Sequence, residues 1–121
     1  MEKVLLKYTA KGQMLIAPTP PHVFPSNTVN YIEAEFSLDE TWASEFDSVR
    51  AIWQSDYAKI PTVIDSNGRC MVPQEVLSRV SPVKVNLVGE KTENDELTRL
   101  TTFPVLALEI VTKANIDGLT Q

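Results

Sequence analysis

Three groups of residues have types and spacings that chemistry could use. In Ile64–Leu77, IDSNGRCMVPQEVL, the run Asp65, Asn67, Gly68 begins as a calcium loop begins, with alternate oxygen side chains able to converge on one hard cation. The match then fails: Arg69 stands at the next ligand position, Cys70 stands where the loop needs glycine, and no glutamate closes the loop. Asn67-Gly68 is better read as the two-residue turn of a β-hairpin, because both residues tolerate positive φ and the flanks PTVI and CMV are strand-like. Cys70 is the only cysteine and His22 the only histidine, so a thiolate nucleophile would require the fold to bring those two together. A lone cysteine beside Met71 and Val72 in a strand reads instead as a small buried hydrophobe. Glu33 and Glu35, two apart, pose as paired acids for glycoside hydrolysis, but alternate glutamates on a strand face commonly keep a sheet soluble. Trp42, Trp53, Tyr8, Tyr31 and Tyr57 are candidates to stack on sugar rings, and equally candidates for a core.

The elements that must hold these residues are mostly strands. Ile32, Ala34, Phe36 and Leu38 alternate with Glu33, Glu35 and Ser37, which places one face on a core and the other in water. Val49, Ala51 and Trp53 repeat the pattern, as do Val83, Val85 and Leu87. EKVLLKY and GQMLIA suggest a hairpin turning at Gly12. Residues 17–27 form a proline-rich arm whose prolines 18, 20, 21 and 25 remove amide donors, so it reads as an extended crossing between sheets or along an edge, without a ladder strand. Asp39–Phe46 is a corner or one helical turn, with Trp42 and Phe46 on one face. Pro73 and Glu75 open a short capping helix over Val72–Ser78. Gly89–Thr98, GEKTENDELT, is charged and aperiodic and reads as an exposed hairpin loop. In the last strand, TTFPVLALEIVTK, Val105, Ala107, Glu109 and Val111 share one face and Leu106, Leu108 and Ile110 the other, both largely apolar. Either that strand is covered on both sides, or its second face meets another chain. The whole reads as all-β, an immunoglobulin-like antiparallel β-sandwich with one short capping helix.

Size and charge narrow the function. The 121 residues, 43% of them hydrophobic, fit a single β-sandwich domain over 1–121, with a C-terminal tail at 113–121. A net charge of −5 opposes phosphate backbones and anionic lipid, so neither nucleic acid nor membrane is an expected partner. The N-terminus, MEKVLLKYTAKGQ, has no signal-peptide core, and synthesis in a cytoplasm is expected. No Gly-rich phosphate loop, nucleophile elbow or metal motif is present, so no catalytic, cofactor-binding or metal residues are assigned and the chain is expected not to be an enzyme.

From about Tyr31 to Thr112 the order of short motifs resembles a known family. Trp53-x-Ser55, then TVID-x-NG-x-C-x-VP-x-EVL at Thr62–Leu77, VKVNLVGE at Val83–Glu90 and RLTT-x-PVLALEI at Arg99–Ile110 resemble a small β-sandwich domain of bacteriophage virion proteins. That domain stands at the N-terminus of tail, baseplate or head-fibre proteins. The resemblance implies a virion location, other capsid or tail proteins as partners, and a homo-oligomer. Heptads or a fibre shaft do not follow Lys113, which favours an attachment, decoration or adaptor module over receptor binding. The residues expected at a protein interface are His22, Val23 and Phe24 in the arm and Leu106, Leu108 and Ile110 on the last strand. The alternative is a carbohydrate-binding module contacting host glycans through exposed Trp53 or Tyr57.

Overall fold

The computed structural model describes residues 3–17 and 21–112; the tail 113–121 and residues 18–20 of the arm lie outside the described residues. Along the chain run β1 (Val4–Lys11), β2 (Met14–Ile16), β3 (His22–Pro25), β4 (Ile32–Leu38), α1 (Glu40–Ser44), β5 (Ser48–Gln54), β6 (Lys59–Val63), β7 (Arg69–Met71), a 3-10 turn (Gln74–Val76), β8 (Ser81–Glu93), β9 (Glu96–Thr101) and β10 (Val105–Val111). They form two sheets, β2-β1-β4-β7 and β3-β10-β8-β5-β6, with β9 added on β8. The alternating strands bury one face each: Leu6, Tyr8 and Ala10 from β1, Ile32, Ala34 and Phe36 from β4, Ala51 and Trp53 from β5, and Val83, Val85 and Leu87 from β8. Tyr8 stacks on Phe36 at 5.0 Å and meets Trp53 edge-on at 6.3 Å, so the aromatic centre of the core joins both sheets. The fold is the expected all-β sandwich with a short helix.

Two pairings are parallel, where a reading by local alternation gives antiparallel neighbours. β1 pairs β4 from Val4↔Ile32 to Ala10↔Leu38, and β3 pairs β10 from Leu108↔His22 to Val111↔Pro25. Parallel neighbours require a crossover. The chain supplies it by leaving β2, running β3 along the edge of the opposite sheet, and returning to β4. His22–Pro25 is therefore a ladder strand despite Pro25, which is tolerated because the strand lies at an edge.

The last strand settles the question of its two apolar faces. The register with β8 shifts between Leu106 and Leu108, so Ala107 is the extra residue of a β-bulge. Before the bulge Val105 stands opposite inward Val85; after it Leu108 stands opposite inward Val83 and Ile110 opposite buried Ser81. The side-chain parity changes once, and Leu108 and Ile110 enter the chain's own core while Leu106 stays on the outer face beside Lys84.

Gly89–Thr98 is not a loop. β8 continues to Glu93 and pairs β9 from Val88↔Thr101 to Glu93↔Glu96, leaving only Asn94 and Asp95 as a turn. Both have positive φ, 53° and 63°, as a type I′ hairpin turn requires. β8 thus carries β9 and β10 in tandem on one side. Thr102 fills the joint: its N–H donates to Leu87 O at 3.0 Å and its Oγ1 accepts from Leu87 N–H at 2.9 Å, which keeps both Leu87 backbone groups bonded.

The two ends of the sandwich differ. At one end α1, capped by Asp39, lays Trp42 and Phe46 together at 5.2 Å beneath Gly89 and beside the β8–β9 hairpin. At the other end, Val4 N–H bonds Tyr31 O, Ser26 N–H bonds Val111 O, and Asn27 N–H bonds Leu77 O, so both described chain ends rest on residues 26–31.

Candidate functional site

Each group with chemical promise in the sequence has a definite place. Asp65–Arg69 is a corner between sheets. Gly68 N–H bonds Asp65 O at 2.9 Å, Asp65 N–H bonds Arg69 O at 2.9 Å, and the Asp65 carboxylate accepts from Asn67 and Arg69 N–H at 2.8 and 2.9 Å. Within this corner Gly68 alone has positive φ, so it is a four-residue turn ending on a left-handed glycine rather than a two-residue turn at Asn67-Gly68. The strands it joins also part company: β6 pairs β5 in one sheet and β7 pairs β4 in the other. The expected hairpin is corrected to an inter-sheet crossing, and the Asp65 oxygens that resembled cation ligands hold the turn's own amides.

Glu33 and Glu35 share a cation. Arg69 reaches across from β7 with its guanidinium 2.9 Å from Glu35 Oε2 and 3.6 Å from Glu33 Oε1. The two carboxylates are tied to one charge on the outer face of the sheet.

Cys70 lies buried behind that face, accepting from Thr62 Oγ1 at 3.4 Å. Burial pushes its thiol above the ordinary cysteine range, against the thiolate form that nucleophilic or metal chemistry needs. His22 lies on β3 in the other sheet, and its ring stacks on Phe24 at 6.0 Å. The structure does not bring the two into one site. Among the described residues no cluster of three His, Cys, Asp or Glu side chains is placed to hold a metal.

The aromatic residues divide. Tyr8, Trp42 and Trp53 are buried, with Trp42 Nε1 donating to Gly12 O at 2.7 Å and Trp53 Nε1 to Thr62 Oγ1 at 3.0 Å. The expected exposure of Trp53 is therefore corrected, since its ring packs against Phe36 and Tyr8. Tyr57 is 58% exposed and sits under the Arg79 guanidinium at 4.9 Å. The Tyr8 hydroxyl is buried with no hydrogen-bond partner among the described residues, and burial raises its pKa.

The expected interface residues separate in the same way. Leu108 and Ile110 are inside the core and unavailable to a neighbour, because the bulge at Ala107 turns them inward. Val23 is 52% exposed on the outer face of the edge strand, next to Glu109, with His22 exposed and Phe24 half-buried beside it. Leu106 is half-buried on that same outer face.

A further feature is the end built from α1 and the β8–β9 hairpin, where Thr41, Glu45, Phe46, Lys91, Thr98, Arg99 and Leu100 line a shallow groove. Lys91 bridges Glu45 at 3.7 Å and Glu93 at 3.3 Å, and these carboxylates raise its pKa, the Glu93 hydrogen bond most. Asn94-Asp95 was the signal in the sequence for this hairpin, a turn pair standing between two polar strands.

No family model matches the chain, and no curated protein matches it. Among solved structures the chain is similar to the N-terminal domain of phage TP901-1 ORF48, with a TM-score of 0.49 and 12% identity over 91% of this chain and 98% of that one.

Proposed function

We propose that the chain is a non-enzymatic structural module of a bacteriophage virion, an attachment, decoration or adaptor piece at a head fibre, tail fibre or baseplate. The observation that carries this reading is how the family-like motif is used. Thr62–Leu77, one of the stretches that resemble the virion-protein domain, forms the corner that passes the chain from one sheet to the other. Gly68 takes the left-handed conformation, Asp65 holds the turn amides, Cys70 fills the core and Val76 and Leu77 close the end over the 3-10 turn. A motif held by backbone geometry and packing travels with a fold, not with a reaction.

The contact surface assigned to this role is the β3 edge with His22 and Val23, together with Leu106 on the adjoining outer face. Copies of the chain or other capsid or tail proteins are the partners. The test is proteomic and structural: particles produced from the genome that encodes the chain should contain it, and Val23→Asp should reduce its incorporation while leaving its melting temperature unchanged. Expression of the chain during infection with none in purified particles would remove the reading.

A further inference from the structure

Sheet edges are places where another chain can add a strand, and proteins commonly blunt them. Here β2 and β7 are three residues long, β3 ends on Pro25, and β6 carries Pro61 at its centre. β9 has six residues, ELTRLT, with no proline, and pairs among the described residues with β8 alone. A two-residue turn closes on a bonded pair, here Glu93–Glu96, so bonded and non-bonded pairs then alternate along the hairpin. The N–H and C=O groups of Leu97, Arg99 and Thr101 consequently point away from β8. Thr92, opposite Leu97, agrees with this alternation: its N–H turns from β9 and donates to Asp47 Oδ2 at 3.0 Å.

The charge around this edge selects the occupant. Segments 40–47 and 90–99 together hold seven carboxylates against Lys91 and Arg99, a net of −5, while the remaining nine acidic and nine basic side chains cancel. These two segments, joined by the Lys91–Glu45 ion pair and the bond from Thr92 N–H to Asp47, therefore carry five net negative charges beside the open strand. A second copy pairing antiparallel about Arg99 would bring two such ends together and set Arg99 opposite itself, which opposes self-association there.

We propose that β9 accepts a basic extended segment of a different protein, which adds as a strand along Leu97–Thr101. Backbone groups of β9 supply the pairing, the surrounding carboxylates supply attraction, and Leu97, 52% exposed, supplies apolar contact. As a statement about virion assembly this rests on the function proposed above; the edge itself does not.

The experiment uses the full chain and a capped synthetic peptide alternating lysine with valine and threonine, set against its glutamate counterpart. Amide hydrogen exchange should slow by at least about tenfold at Leu97, Arg99 and Thr101 with the lysine peptide and not with the glutamate peptide. Leu97→Pro removes an outward N–H that β8 does not use, and should abolish the effect. An N-methylated lysine peptide, unable to pair, should fail on the unaltered chain, which covers the case in which Leu97→Pro does not fold. Unslowed exchange with the lysine peptide overturns the proposal. So does protection of these three amides in the chain alone, which would show that a second copy or the chain's own tail already covers the edge. In particles, normal incorporation of Leu97→Pro would refute a role for the edge in assembly and leave the virion reading standing. Peptide pairing in a chain absent from particles would do the reverse.

Discussion

Gly68 has no tolerance for a side chain. Its φ is +78°, and a Cβ would stand 2.5 Å from the Phe36 carbonyl oxygen, across the hydrogen bond from Phe36 N–H to Gly68 O. Gly68→Ala should lose more than about 1 kcal/mol in denaturant unfolding, since strain and collision act together. Gly12→Ala is the comparison, with φ of +54° and nothing within 4 Å of the added carbon, and should cost less. Asp39 is the other residue that ties distant backbone together, accepting from Trp42 N–H at 3.0 Å and Gly12 N–H at 2.8 Å. Those two bonds, Trp42's first, hold its carboxyl below the ordinary aspartate range. A group whose pKa is lowered on folding contributes stability above its unfolded pKa and loses it as pH falls through the folded one. Asp39→Ala should therefore lower the melting temperature at about pH 7, and the gap from the unaltered protein should narrow as pH falls below the ordinary aspartate range. At this scale the sequence was informative for Gly68, whose need for positive φ is local. It was misleading for Asn67, because the same dipeptide suits two turn types and local residues do not choose between them.

Elements show which signals periodicity can carry. The core strands β4, β5 and β8 were legible because one wet and one buried face print a period of two on the sequence. The upper part of the β8–β9 hairpin prints none, since it projects past the core with both faces in or near water. β10 prints two overlapping patterns because the bulge at Ala107 changes parity in mid-strand, and an apolar run alone does not mark where. The same strand held the expected contact residues Leu108 and Ile110, so the misplaced part of the interface follows from that single extra residue. Thr102 is the element-scale counterpart, a side chain completing a ladder where two strands meet end to end. Thr102→Val keeps the shape but leaves the buried Leu87 N–H without an acceptor, and should cost about 1–3 kcal/mol in equilibrium unfolding.

For the whole molecule, sheet membership depends on crossings between distant segments, and this is why the parallel partners β1–β4 and β3–β10 were not read from sequence. The anchoring of β1 and β10 gives that topology a practical consequence. Val4 and Val111 are both anchored on the short stretch 26–31, while the Asn94-Asp95 turn sits at the far pole. Stability comes from pairings that do not depend on the order in which the strands are joined. A circular permutant, its original termini fused and its new ones opened between Asn94 and Asp95, should keep the near-ultraviolet circular dichroism of the parent and unfold in one cooperative step. Opening the chain instead between Ser66 and Asn67 should abolish that signal, because the inter-sheet corner would be cut. The sandwich behaves in this respect as a ring of strands, with β1 and β10 brought together at the 26–31 pole and a dispensable link at the Asn94-Asp95 pole.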